Sequence, residues 1–374
     1  MMEWVKLGDV CEIIMGQSPD SSSYNYDGMG LPFFQGNADF GDLYPNTRVY
    51  CDQPNKTANK NDVLISVRAP IGAVNIATES CCIGRGLAAI RVIKRVTQHK
   101  FLFYFLKSKN RWLNLQGTGS TFKAINKKVL SNLAMILPPL LDQIRIAETL
   151  DKVKGIIDAR KKQIEKLDEY IKSVFYTMFG DPIANSMDWK LKKLVEIGYL
   201  ASGGTPPRSQ KEYFMGDINW YSAGELNQIY LPDSNEKITE TAIKKTSAKL
   251  FNKGSLLIGM YDTAAFKLGI LTQKSSSNQA CANIDVDKNN VCVEWLYYNL
   301  AIMRPYFLNN RRGIRQKNLN LGMIKEFKIP LPPLLLQKQF AEIVEKTEAQ
   351  KELLNKSLSK METLFDCLMD QYFS

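Results

Sequence analysis

The sequence predicts a mixed α/β protein built as a tandem duplication. Two similar α/β domains alternate with two long helices that pair as an antiparallel intramolecular coiled coil, giving pseudo-twofold symmetry. Three observations carry this. A proline pair, Leu137-Pro138-Pro139-Leu140-Leu141, opens a long apolar repeat, and the same signpost returns at Leu331-Pro332-Pro333-Leu334-Leu335. One offset, 337 − 143 = 194, brings Gln143 onto Gln337, Ala147 onto Ala341 and Glu148 onto Glu342. The stretches before the two signposts share an order of turns and strands, so the repeat is about half the chain long.

The helices come first because their pattern is the strongest. Two prolines favour extended chain and end any preceding helix. From Gln143 there is no proline until Pro182, and Gly155 is the one glycine before Gly180. Apolar residues recur at Leu150, Val153, Ile157, Ile164, Leu167, Ile171, Val174 and Met178, in steps of three and four broken once by Arg160. That is a heptad seam. A helix from Asp142 to Phe179 would be roughly 55 Å long, too long to be an ordinary buried helix. Under the offset the seam continues at Val344, Thr347, Lys351, Leu354, Leu358, Met361, Phe365, Leu368 and Tyr372. Arg160 and Lys351 at seam positions either fix register or docking, or snorkel to solvent. The chain must return to start its second helix, so antiparallel pairing is expected.

Composition narrows the partner. At 374 residues the length favours two or more domains. The formal net charge of +11 points to a polyanion, either nucleic acid or an anionic membrane. Apolar runs stay short of membrane-spanning length and the N-terminus has no signal-peptide pattern, which favours nucleic acid. The seven cysteines form no C-x-x-C pair and His99 is the one histidine, which argues against zinc or another metal. Scattered, odd-numbered cysteines suit the cytoplasm.

Four segments follow: 1–137, 138–180, 181–331 and 332–374. In the first, residues 62–67 and 87–92 read as strands. Residues 100–115 read as one helix with Phe101, Leu102, Phe105 and Leu106 on its buried face, and a polar loop, residues 117–123, follows. The third segment repeats the plan. Trp4 corresponds to Trp189, both expected in the core, and Gly16-Gln17-Ser18-Pro19 to Gly203-Gly204-Thr205-Pro206. Phe33-Phe34 corresponds to Trp220-Tyr221, and Val63-Leu64-Ile65 to Leu256-Leu257-Ile258. At the 194 offset Leu102, Tyr104 and Leu106 match Leu296, Tyr298 and Leu300, Gly119 matches Gly313, and Asn126 matches Asn320. A shared framework with different loops implies two related but different ligands.

This arrangement resembles the specificity (S) subunit of type I restriction–modification enzymes over essentially the whole chain. The resemblance rests on the duplicated order, the tryptophan near each start, the G-x-[ST]-P turns and the L-P-P-L-x-x-Q-x-x-x-A-E helix entries. It implies that residues 1–137 and 181–331 are target recognition domains, each reading half of a bipartite sequence in double-stranded DNA. It implies that segments 138–180 and 332–374 are spacer helices that set the separation and dock two modification (methyltransferase) subunits, with restriction (translocase/endonuclease) subunits joining the assembly. Such a chain carries no chemistry and no cofactor; S-adenosylmethionine, ATP and Mg²⁺ belong to the partners.

Within that resemblance, Ser120, Thr121 and Lys123 in the first domain, and Arg311, Arg312, Arg315, Gln316 and Lys317 in the second, are the leading DNA-contact candidates. Arginine and glutamine can grip guanine and adenine bidentately, and small hydroxyl residues suit phosphates. Arg68, Arg85, Arg208, Lys211, Tyr261 and Lys267 are further candidates, for which a structural salt bridge is the competing assignment. Leu150, Val153, Ile157, Ile164, Leu167, Ile171, Leu354, Leu358, Met361, Phe365 and Leu368 are assigned to the helix seam and subunit docking. Catalytic residues are not expected: no Walker-type phosphate loop is present, and Leu137-Pro138-Pro139-Leu140 lacks the first residue of an amino-methyltransferase motif. The alternatives are an enzyme with cryptic nuclease or methylase activity, and an assembly protein that has lost DNA reading.

Overall fold

The structure, a computed structural model, describes residues 3–93, 95–118, 123–309 and 318–374. The chain forms two compact units, residues 1–161 with 356–374 and residues 162–355. The long helices run Leu140–Phe179 and Leu334–Phe373, so the chain passes between units inside each helix and not at the segment boundaries.

In the first unit a four-stranded antiparallel sheet has the order Cys11–Met15, Leu87–Val92, Val63–Ser66, Val74–Ile76. Val63, Leu64 and Ile65 are all fully buried, which is why this strand reads as an unbroken apolar run. Val63 and Ile65 face helix His99–Ser108 through Phe101 and Leu102, while Leu64 and Ala89 face a second sheet through Phe34 and Ile83. In that second sheet Leu31–Phe34 pairs in parallel with Cys81–Ile83.

The second unit repeats this order as Gly198–Ser202, Cys281–Val286, Leu256–Gly259, Leu268–Ile270. Leu256 and Ile258 meet Trp295 and Leu296 of helix Val293–Asn309, and Leu257 meets Tyr221 on the other face. Ile218–Tyr221 again pairs in parallel with Ser276–Ser277. Asn126 and Asn320 do the same job in each copy, capping a short helix by accepting from Val129 N (3.1 Å) and Met323 N (2.9 Å).

Three expectations change. The single helix over residues 100–115 is two, His99–Ser108 and Asn110–Leu115, and the turn lets Asn114 Nδ2 reach the Ile71 carbonyl at 2.6 Å. Trp4 is 65% exposed and not in the core. It lies on Glu3–Lys6, which among the described residues pairs only with Ala134–Leu137, and strand alternation turns Val5 inward and Trp4 outward. Its true counterpart is Leu191, also exposed, in the matching pair Lys190–Lys193 with Lys328–Leu331. Trp189 is half-buried, and its Nε1 donates to the Phe179 carbonyl at the end of the first long helix (3.1 Å).

The Leu-Pro-Pro-Leu-x-x-Gln entry has a physical reason. Gln143 is fully buried; its Oε1 accepts from Gln98 N (2.9 Å) and its Nε2 donates to Val96 O and Pro138 O (both 2.9 Å). Gln337 is equally buried and repeats this with Cys292 N (2.8 Å), Asn290 O (3.1 Å) and Pro332 O (2.8 Å). One amide thus satisfies the backbone where a loop, a proline turn and a helix start converge.

Inside each unit the two helices run antiparallel. In the first, Lys161 Nζ meets Glu362 at 2.9 Å, and Leu150, Met369 and Phe373 join the sheet–helix core. In the second, Lys351 Nζ meets Asp168 at 2.6 Å and Glu348 at 2.9 Å. Burial works to lower the Lys351 pKa, but the hydrogen bonds to Asp168 and Glu348 outweigh it and raise it, so this seam lysine is a paired cation. Val153, Ile157 and Ile171 are buried, whereas Ile164, Leu167, Leu354, Leu358, Met361, Phe365 and Leu368 are half-buried. The ends of the seam are therefore absorbed by the globular core of each unit.

Candidate nucleic-acid interface

The G-x-[ST]-P stretches build the same turn in both units. Gly16 N donates to Leu87 O (2.9 Å) and Gln17 N to Ile83 O (3.0 Å); Gly203 N donates to Cys281 O (3.0 Å) and Gly204 N to Ser277 O (2.9 Å). The chain passes so close that a Cβ on Gly16 would lie 2.2 Å from Gly84 O, and one on Gly203 2.3 Å from Asn278 O, so both positions require glycine. The strand supported by this stretch begins with a four-residue turn. In the first unit Gly84 N donates to Phe34 O (2.8 Å) and Leu87 N to Gly84 O (3.0 Å); in the second Asn278 N donates to Tyr221 O (2.9 Å) and Cys281 N to Asn278 O (3.2 Å). The motif hydroxyl then holds the residue at the turn's tip. Ser18 Oγ accepts from Arg85 N at 3.2 Å, and Thr205 Oγ1 donates to Gln279 Oε1.

In the first unit this turn forms one wall of a concavity of about 220 Å³ lined by Gln35, Gly36, Asn37, Arg68, Ala69, Arg85 and Gly86. The structure thus brings Arg68 and Arg85 together, both exposed and neither in an ion pair among the described residues. Lys123 is exposed beside them, its carbonyl accepting from Ala69 N at 3.1 Å. Asp39 fixes the floor by accepting from Gln35 N (2.8 Å) and from Arg48 Nε (3.1 Å), and its hydrogen bond raises the Arg48 guanidinium above its ordinary pKa. Nearby, burial raises the Tyr24 hydroxyl while the charge of Arg85 works in the opposite direction. The concavity is cationic, with amide side chains among the arginines, a combination that suits phosphates and base edges together.

The second unit differs at the same places. Tyr261 follows the strand equivalent to the one before Arg68 and is half-buried against the core. Lys267 Nζ donates to Asn227 Oδ1 (2.9 Å) and Gly224 O (3.4 Å). Arg208 grips Glu236 with both terminal nitrogens and lies over the rings of Phe214 (4.4 Å) and Trp220 (5.0 Å). Its guanidinium is raised chiefly by the hydrogen bond to Glu236, so Arg208 holds a local structural arrangement. Ser120, Thr121, Arg311, Arg312, Arg315, Gln316 and Lys317 lie outside the described residues. The sequence reading omitted Gln35, Asn37, Arg48 and Gln279. A signal existed for Gln279, since the 194 offset carries Arg85 onto it (85 + 194 = 279).

Residues 1–169 and 186–363 match the family model described as "Type I restriction modification DNA specificity domain". The fold is therefore a duplicated DNA specificity domain, a class defined by DNA recognition. The chain belongs to the type I restriction–modification specificity-subunit family.

Among its relatives is the putative type I restriction enzyme MjaX specificity subunit of Methanocaldococcus jannaschii, 45% identical over 174 residues, which are 46% of this chain and 41% of that one. The MjaIX specificity subunit of the same organism is 23% identical across 91% of this chain and 85% of its own length. The crystal structure of the type I restriction–modification system S subunit from M. genitalium has the same fold, with a TM-score of 0.65 at 17% identity, covering 100% of this chain and 96% of that one. Among the described residues no helix is long and apolar enough to cross a membrane.

Proposed function

We propose that each globular region reads one half of a bipartite DNA target, that the paired helices set the spacing and dock two methyltransferase subunits, and that the chain performs no chemistry itself. In this reading S-adenosylmethionine, ATP and Mg²⁺ are used by the modification and restriction subunits. The observation that carries it is the duplicated turn: one rigid backbone frame, built twice, presents different exposed side chains. The competing reading, an enzyme, has no comparable feature among the described residues.

The test is the methylome of a host carrying this chain with its modification subunits. A single bipartite motif with a fixed spacer is expected, and the purified chain alone should transfer no methyl groups from S-adenosylmethionine. A contiguous motif, or methylation by the isolated chain, refutes the reading.

The spacing role has its own test. Four residues inserted after Lys161, with four in the facing stretch of the second helix, add about 6 Å of rise and a net rotation near 40°. One base pair turns by about 34°. The spacer should lengthen by one base pair, with both half-sites unchanged. An active enzyme that keeps the original spacer would exclude the helices as a ruler.

A further inference from the structure

Arg85 and Gln279 occupy one structural position. Each sits second in a four-residue turn whose first residue is tied to the neighbouring parallel strand and whose last residue bonds back to the first, and each is contacted by the hydroxyl of its unit's G-x-[ST]-P motif. Both side chains are exposed on a backbone that cannot shift easily. Gly86 reinforces this, because a Cβ there would lie 2.4 Å from Gln35 O. Arginine and glutamine are also among the side chains that pair bidentately with purine edges in the major groove, arginine with guanine O6 and N7, glutamine with adenine N6 and N7.

Resting on the function proposed above, we propose that this duplicated position is a base-reading point in each half-site, with Arg85 selecting a guanine and Gln279 an adenine. Three features support it. First, a rigid turn holds the side chain more narrowly than a mobile loop would, and bidentate pairing needs that precision. Second, Arg85 has no acidic partner among the described residues, so all its donors remain available. Third, Thr205 holds the Gln279 amide by its oxygen. This leaves the Nε2 donors and the second Oε1 lone pair for the two bonds adenine offers. The positions flanking each tip are small or short (Gly84 and Gly86, Asn278 and Ala280), which allows close approach to a groove.

The test exchanges the two chemistries in the assembled methyltransferase. Arg85→Gln, Arg85→Ala and Gln279→Arg are each produced with wild-type modification subunits, and the methylated motif is read from genomic DNA. Arg85→Gln should replace one guanine by adenine in one half-site, with about a 10- to 100-fold loss on the original motif and the other half-site intact. Arg85→Ala should lose discrimination at that base without gaining a new one. Gln279→Arg should make the reverse change in the other half-site. Thr205→Val should blur the same base as Gln279→Arg, with thermal stability changed little.

Variants that methylate the original motif within about twofold of wild type overturn the proposal. So does a loss spread evenly over all sequences with a shallower salt dependence, which would mark a phosphate contact. In both of those cases the bipartite motif of the wild-type complex remains, so the function proposed above stands. If the wild-type complex itself shows no bipartite motif, that reading fails and this one with it.

Discussion

Replacing Gln337 with leucine is expected to destabilise the second unit by about 2–5 kcal/mol, because one buried and two partly buried backbone groups lose their partner, at about 1–3 kcal/mol for a fully buried group and less where water can reach. The substitution nearly preserves volume but removes the acceptor for Cys292 N and the donors for Asn290 O and Pro332 O. The bond to Pro332 O is buried, while those to Cys292 N and Asn290 O are partly buried, so water can compensate part of the loss at those two. A loss of this size is a large fraction of the 5–15 kcal/mol by which a domain is normally stable. Gln143→Leu should do the same to the first unit. Urea unfolding followed by hydrogen exchange separates the two: Gln337→Leu should lose protection around residues 290–299 and 334–344 while the strands of the first unit keep theirs. A midpoint shift equivalent to less than 1 kcal/mol would mean that the network contributes little.

Phe340→Ala is expected to cost about 3–5 kcal/mol in the same unit. Its ring is fully buried and meets Phe175 and Phe179 at 5.5 Å each and Tyr298 at 5.6 Å between centroids, every pair edge to face. Removing it leaves a cavity where both long helices and helix Val293–Asn309 come together, and the flat neighbouring rings cannot collapse into it. Phe340→Leu should cost much less, because it keeps most of the volume. Equal losses for the two variants, measured by calorimetry, would show that the site depends on ring geometry and not on filled space.

These two residues also show what the sequence reveals and what it conceals. The helices, their antiparallel direction and the duplication were legible because the apolar repeat is long and a single offset relates the copies. Gln337 was visible as a repeated letter, yet its role was not, because its partners come from a loop and a proline turn. The seam reading chose Val174 and Met178, while the structure buries Phe175 and Phe179. A straight helix drifts by about 20° per heptad from a strict seven-residue repeat. Near its end the face turned to the globular core is thus no longer the face that began as the seam. Trp4 was misread because residue type suggested burial, whereas a two-stranded edge pair buries only one side. Among the contact candidates, Arg68 and Arg85 lie 17 residues apart (85 − 68 = 17) and meet only because two turns line one concavity.

The passage of the chain between units inside the helices sets the order in which the units can be completed on the ribosome. The second unit is one continuous stretch, residues 162–355, whereas the first needs residues 356–374 as well. Its sheet and helix His99–Ser108 emerge first, but Phe101 and Phe105 gain their Phe373 contacts (5.4 and 6.2 Å) only after the whole second unit has been made. At about 5–20 residues per second, the intervening 355 − 161 = 194 residues impose a wait of roughly 10–40 s. During that interval an apolar face of the nascent first unit stands open. The half that is translated first is finished last, and protection of that face by a chaperone or a partner subunit is most useful before translation reaches the second long helix.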